Sequence, residues 1–553
     1  MPIKSENEPS FLGIQQLSLR GLLLGMLGSC IITASSMYVA LRISALPWPT
    51  VFVAVLSMAL LKAFGKTTLN EINITQTGMS AGAMVAGGLA FTLPGLWITG
   101  LWGGPEMLKT HFWPVLAIAM AGMLLGTVLT WFMRQRFVQK EALPYPIGAA
   151  AAETITVGDA GGKKSGLLFG TMGLSAVFTY FRDGAGWIPA TISSKWLYAK
   201  NFFVGIWLSP MAVGIGYMIG PLFTGVWFLG AILSYLLIIP LGTAFHIFAS
   251  TASAIVFKNT AGIGLMVGTG LGILLTYIIS RFQKPAITKN NGPEGTGSKV
   301  PSKQSGWVRS LTVLACAVTF ILSVACGLGP LPSVLLIIGT FAAAAMAATI
   351  TGQTGINPME VFAIIILLAI RLIVPVDTTG AFFIAAAVAV ACGYSGDLLN
   401  DYKAGEMLGT NPVAQLISQI AGGIAGTVVA VLAMFAIINQ FGGVGPAKGL
   451  SAGQAFLVSQ MIKGIGDPAV FGIAAAIGML LYLLKVPVMT LGIGMYLPFE
   501  ISAIVFSGGL IRFIVDRVRP KAVEPGNIAA SGLLGGEGIT GVTIAIVKLL
   551  TRG

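Results

Sequence analysis

Residues 70–77 read Asn-Glu-Ile-Asn-Ile-Thr-Gln-Thr, and in a helix Asn70, Asn73 and Thr77 fall along one face. With Glu71 and Gln76 they bring several amides and a carboxylate to the entrance of an apolar segment. Such groups are costly in lipid unless they meet water, another polar group or a ligand. A second cluster occupies 392–412, where Asp397, Asn400, Asp401, Lys403 and Glu406 follow an apolar run that ends near Ala391. Asp397 and Asp401 are one helical turn apart and share a face if this stretch is helical. The plainer reading is a solvated loop, in which Gly393, Gly396, Gly405 and Gly409 permit tight turns. Gln353 and Asn357 add amides from the same half of the chain. Glu153, near Pro144, Pro146 and Gly148, and Glu500, just after Pro498, stand in apolar surroundings that favour a neutral carboxyl, so each can carry a proton. Their structural alternatives are a fixed hydrogen bond or an exposed loop.

The elements that must position these groups are set by composition. Of 553 residues, 55% are hydrophobic and 9% charged, against about 25% charged in a soluble domain. Mean hydropathy is +0.88, which excludes an ordinary soluble enzyme. Apolar runs such as 19–41, 112–133, 226–244 and 414–438 reach the ~20 residues that a helix needs to cross the hydrocarbon core. They are continuous rather than alternating, so the expected fold class is an all-α polytopic membrane protein, not a barrel. Roughly 14–16 transmembrane segments are expected on the ~20-residue criterion. The stretches 143–157, 184–200, 245–257 and 445–465 are short or interrupted by Pro, Gly and charge, which fits broken or re-entrant helices, or amphipathic connectors. Ser80, Ala81, Gly82, Ala83, Ala86, Gly87 and Gly88 read as close helix packing.

Residues 283–306 are rich in Lys, Asn, Gly, Pro and Ser and have the composition of a flexible linker. Thr75-Gln-Thr-Gly78 resembles Gly352-Gln-Thr-Gly355, and Met211-Ala-Val-Gly-Ile-Gly216 resembles Met489-Thr-Leu-Gly-Ile-Gly494, at nearly one offset. The expected organisation is an N-terminal segment 1–18, a first transmembrane repeat 19–282, the linker 283–306 and a second repeat 307–553. The two repeats are expected to be parallel, related by an axis normal to the membrane.

The net charge of +13 does not point to nucleic acid, because the basic residues cluster between apolar runs. Arg134, Arg136 and Lys140 form one cluster, Arg281 to Arg309 spans another, and Arg512, Arg517, Arg519 and Lys521 form a third. The positive-inside rule places all three, with the linker and the N-terminus, on the cytoplasmic side of a plasma (inner) membrane. The polar start of the chain lacks the basic n-region of a signal peptide. Cys30, Cys316, Cys326 and Cys392 read as packing residues, and His111 and His246 are too far apart to suggest an imidazole metal site, so no resident metal or cofactor is expected. Gly268-Thr-Gly-Leu-Gly272 has no preceding strand and reads as helix packing, not a nucleotide turn.

Taken in order, residues 70–95, 396–419 (GDLLNDYKAGEMLGTNPVAQLISQ), 492–514 (GIGMYLPFEISAIVFSGGLIRFI) and 530–542 (ASGLLGGEGITGV) resemble the motifs of the oligopeptide transporter family, which includes yellow-stripe-like carriers of metal chelates. One departure stands out: Glu71 is followed by Ile72 and Asn73, where the family usually has two adjacent amides. The resemblance implies a proton-coupled importer of oligopeptides or peptide-like metal chelates, with no catalytic residues. A peptide-like cargo needs partners of both charge signs and amides. Asn70, Glu71, Asn73, Gln76, Gln353, Asn357, Asp397, Asn400, Asp401 and Lys403 supply them if the halves enclose one cavity. Glu153 or Glu500 would then couple the proton. Lipid is a further partner, and a homodimer is left open. The competing readings are a membrane enzyme that holds Mg²⁺ on a lipid diphosphate through Asp397 and Asp401, and a passive channel.

Overall fold

The computed structural model describes residues 10–11, 13–43, 50–104, 106–160, 162–282, 302–445, 450, 452–462 and 467–551. In lipid a backbone must satisfy its own polar groups, and the apolar runs do so as helices. Eight helices among the described residues are long and apolar enough to span, including Leu69–Ile98, Met107–Lys140, Thr378–Leu408 and Pro412–Gln440. Four shorter apolar helices accompany them: Thr50–Ala63, Pro210–Ile219, Arg309–Ala325 and Pro468–Leu483. The described strands are two small antiparallel pairs, Ser10–Phe11 with Ile14–Gln15 and Thr191–Ser193 with Gly205–Trp207. The chain is thus an all-α polytopic membrane protein.

The interrupted stretches resolve differently. The 143–157 stretch becomes the helix Pro146–Ala160, entered through Tyr145 at φ 42°. The 184–200 stretch is a largely exposed connector that carries one short strand and the helix Lys195–Ala199. In 245–257 a loop leads into the helix that begins at Thr251, and 445–465 contains Gly453–Ile462. Residues 283–301 of the expected linker, like residues 1–9, lie outside the described residues, while Ser302 already begins the helix Ser302–Ala325.

The helices gather into two groups, and each group draws on both sides of residues 283–306. Leu19–Ile43, Leu69–Ala90 and Met107–Met133 pack with Pro330–Thr354, Thr378–Leu408 and Pro412–Gln440. Gly162–Thr179, Pro210–Ile219, Pro221–Ile232 and Thr251–Phe282 pack with Pro468–Leu483, Val488–Tyr496, Phe499–Val518 and Val523–Thr551. Helices approach closely at glycines, and several of these contacts come in matched pairs. A Cβ on Gly122 would lie 2.6 Å from the Ala387 carbonyl, and one on Gly422 1.9 Å from the Gly78 carbonyl. One turn on, Gly126 faces the Cα of Ala391 as Gly426 faces that of Gly82. In the second group Gly216 meets the Val505 carbonyl as Gly494 meets that of Trp227, and Gly268 meets Ala475 as Gly536 meets Met172. Small residues at these points let backbones touch, which is how helices associate without a hydrophobic driving force.

Direction can be read from the same contacts. Leu69–Ala90 and Thr378–Leu408 run antiparallel, since Gly88 lies against Val390 while Ser80 bonds to Asp401. Pro221–Ile232 and Phe499–Val518 also run antiparallel: Phe228 stacks on Phe506, and Tyr235, just beyond the first helix, meets Phe499.

Candidate functional site

The stretch around Asp397 is neither a loop nor broken. It is the second half of one 31-residue helix, Thr378–Leu408, capped by Asp377 at its start and by Gly409 at φ 75° at its end. The glycines expected to form turns mostly lie inside this helix. Gly396 leaves room for the Asn357 amide and the Thr351 hydroxyl, and Gly405 for the Gln415 amide.

Asp401, fully buried, is the centre of a polar network between three helices. Its Oδ1 accepts from Gln76 Nε2 at 2.9 Å and its Oδ2 from the Ser80 hydroxyl at 2.5 Å. Asn73 Nδ2 donates to Gln76 Oε1 at 3.0 Å and so orients that amide. From Pro412–Gln440, Gln415 Nε2 lies 3.1 Å from both Asn73 Oδ1 and Thr77 Oγ1, and 2.9 Å from the Asp401 carbonyl. Every named partner of the Asp401 carboxyl is neutral. Burying amides and a carboxyl inside an apolar bundle is costly unless all are bonded, which is what the network achieves.

One turn earlier, Asp397 Oδ2 accepts from Asn357 Nδ2 at 3.0 Å, and the same Nδ2 donates to the Cys392 carbonyl at 2.8 Å. Asn357 lies in the gap between Pro330–Thr354 and Met359–Ile373, where Gly355 takes φ 73°. Asn400 Nδ2 bonds the Asp397 carbonyl, and its Oδ1 accepts from the Gly148 amide at 3.0 Å, tying down the first turn of Pro146–Ala160.

Other expected residues stand apart. Glu71 is buried and closed by Arg20, whose Nε and Nη2 each lie 2.7 Å from its oxygens, and by Ser18 and Thr67. Asn70 accepts from Thr410 near the Thr378–Leu408 end. Lys403 is half-buried and faces Glu406 at 3.9 Å. Glu153 is half-buried on Pro146–Ala160, and Glu500 accepts from the Tyr198 hydroxyl at 2.5 Å, in the other group of helices. Gln353, half-buried, ends with its Oε1 buried and unbonded among the described residues.

Several contributors escaped the reading from sequence. Ser80 had been assigned to packing with its small neighbours; its place one turn after Gln76 was the available signal. Gln415 stood within a quoted motif but had no charged neighbour to mark it. Glu360, 3% exposed, has an Oε2 without a partner among the described residues. As for Mg²⁺ chemistry, Asp401 has donors on both oxygens and Asp397 on one, so the two do not present an open pair of carboxylates.

A bundle of apolar helices that closes around amides and uncompensated carboxylates defines an integral membrane protein with a polar centre, the arrangement of a solute carrier. The family model described as OPT oligopeptide transporter protein matches residues 16–548. The chain belongs to that family. It is also 26% identical to a putative oligopeptide transporter of Haemophilus influenzae, with 92% of each chain covered.

Proposed function

We propose that this chain is a secondary transporter that moves oligopeptides across the plasma (inner) membrane by alternating access, coupled to protons. The observation that carries the reading is the Asp401 network, in which amides and hydroxyls from Leu69–Ala90 and Pro412–Gln440 converge on a buried carboxyl with no cationic partner named. A peptide's ammonium and amide groups match that donor and acceptor set, and the related transporter's name supports peptide cargo. Peptide-like metal chelates present the same amide and carboxylate chemistry and are the second cargo class.

For alternating access, the support is the matched glycine contacts. They pair Leu69–Ala90 with Thr378–Leu408, and Pro221–Ile232 with Phe499–Val518, as equivalents that run in opposite directions. Opposite direction means an axis in the membrane plane, so we place inverted repeats here instead of the parallel pair expected from the sequence offsets. Exchange of the two repeats' conformations then exchanges the open side. Lys62 with Asp159, and Lys164 with Glu524, mark one end of the bundle, which the positive-inside rule makes cytoplasmic.

The test is uptake of radiolabelled trialanine, and separately of a ferric chelate of a peptide-like ligand, into proteoliposomes with a clamped proton gradient. Accumulation of trialanine that a protonophore abolishes is expected. Chelate accumulation alone would reassign the cargo, and no accumulation of either would sink the transport reading.

A further inference from the structure

Asp397 differs from Glu71 and Asp401 in the first helix group and, like Glu360, keeps a buried carboxyl oxygen without a partner among the described residues. Glu71 faces an arginine, and Asp401 has a neutral donor on each oxygen. Asp397, 4% exposed, has one oxygen on Asn357 and its Oδ1 without a donor among the described residues. The Asn357 amide nitrogen is held by two acceptors, so its Oδ1 points away from them, and it too is buried and unbonded. The Thr351 hydroxyl completes the set: buried, without a partner, and 2.7 Å from where a Cβ of Gly396 would sit. Buried polar groups in native proteins find partners. Here three oxygens lack them at one place, beside the C-terminal end of Pro330–Thr354, where the helix dipole favours positive charge.

The titratable and charged groups on the elements around Asp397 offer no counter-ion. Cys392, Tyr394, Asp401, Tyr402, Lys403 and Glu406 share its helix; Lys403 faces Glu406, and Tyr402 donates to Gln419. Met359–Ile373 brings Glu360 and Arg371, the latter bonded to the Ile462 carbonyl; Pro146–Ala160 brings Glu153 and Asp159, the latter paired with Lys62; and Leu69–Ala90 brings Glu71, already closed by Arg20. Tyr145 donates to the Ala348 carbonyl, and Arg134 lies over the Trp131 ring. None of these is ion-paired or hydrogen-bonded to Asp397 in the described residues.

We propose that Asp397 binds the coupling proton, with Asn357 and Thr351 at the helix break as the groups that sense it. One proton turns an unbonded acceptor into a donor and removes a buried charge that nothing neutralises. It does so beside a break between two helices, the kind of element able to hold two arrangements. This assignment rests on the transport reading above, but it moves coupling from Glu153 and Glu500 to a residue that had been grouped with cargo binding.

Two readouts test it on the purified full chain. Infrared difference spectra after a pH step should show the C=O band of a protonated carboxyl in the parent and in Asp401→Asn, and not in Asp397→Asn. Thr351→Val should keep the band and shift its pH midpoint. In proteoliposomes, Asp397→Asn should lose at least tenfold of gradient-driven trialanine accumulation while equilibrium exchange stays within threefold of the parent. A band that survives in Asp397→Asn overturns the assignment even if trialanine proves not to be the cargo. So does accumulation by Asp397→Asn that still follows the proton gradient, or accumulation by the parent that follows a sodium gradient at fixed pH. A parent that takes up no peptide defeats the transport reading, while the band still decides the site.

Discussion

Two buried acidic regions of this molecule are built on opposite principles. In the second helix group Glu537, 5% exposed, accepts from Arg182 Nη2 at 2.9 Å, from the Ser209 hydroxyl at 2.9 Å and from the Met211 amide at 2.8 Å. Arg182 in turn binds Asp183 and the Leu208 carbonyl. Glu537 faces a cation and neutral donors together, so this cluster fastens Val523–Thr551 to the start of Pro210–Ile219. In the first group Asp397 and Asp401 meet amides and hydroxyls but no cation among the described residues, and Asp397 keeps one oxygen without a donor there. Burial by itself does not single out a carboxyl; what sets Asp397 and Asp401 apart from Glu537 is burial without a cation among the described residues.

The comparison can be broken at its strongest point. Glu537→Gln should leave Arg182 with the partly exposed Asp183 as its remaining carboxylate partner and lower stability by about 3 kcal/mol. A marked loss of the melting temperature in detergent checks this, and an unchanged melt would mean that the ionic cluster is not what holds these helices. A smaller effect is expected at Ser80→Ala, which removes a hydrogen bond to a charged group worth about 1.5–3 kcal/mol. It should lower the melting temperature modestly and weaken trialanine affinity by about tenfold to a hundredfold; a lower melt with unchanged affinity would make the Asp401 network structural, like that of Glu537. The smallest effect belongs to Lys403→Ala. Its pair with Glu406 is long and partly exposed, so both stability and uptake should stay within about 0.5 kcal/mol of the parent. A large loss of uptake would return Lys403 to the cargo site.

Much of the site was legible as residue types and little of it as partnership. Asn73, Gln76, Asn400 and Asp401 announced themselves as polar groups in apolar surroundings; the first two join Asp401 in one network, while Asn400 ties the Asp397 carbonyl to the Gly148 amide. Glu71 carried the same signal and turned out to be neutralised by Arg20, some fifty positions earlier in the chain. Nothing local distinguishes those two outcomes. The same holds for 392–412, where charge density suggested a loop, because the long helix that buries these groups is stabilised by contacts from distant segments.

By itself the sequence determined that the chain must be helical and must lie in a membrane, since long apolar runs leave the backbone no other way to satisfy its hydrogen bonds in lipid. Its ordered motifs also determined the family. Only the tertiary structure decided which polar residues compensate one another and which neighbouring helices run antiparallel. Charge compensation depends on distances of a few ångströms between segments hundreds of residues apart, as between Gln76 and Asp401. Relative helix direction depends on how many times the chain crosses between two helices, and a glycine looks the same in sequence whichever way its helix points.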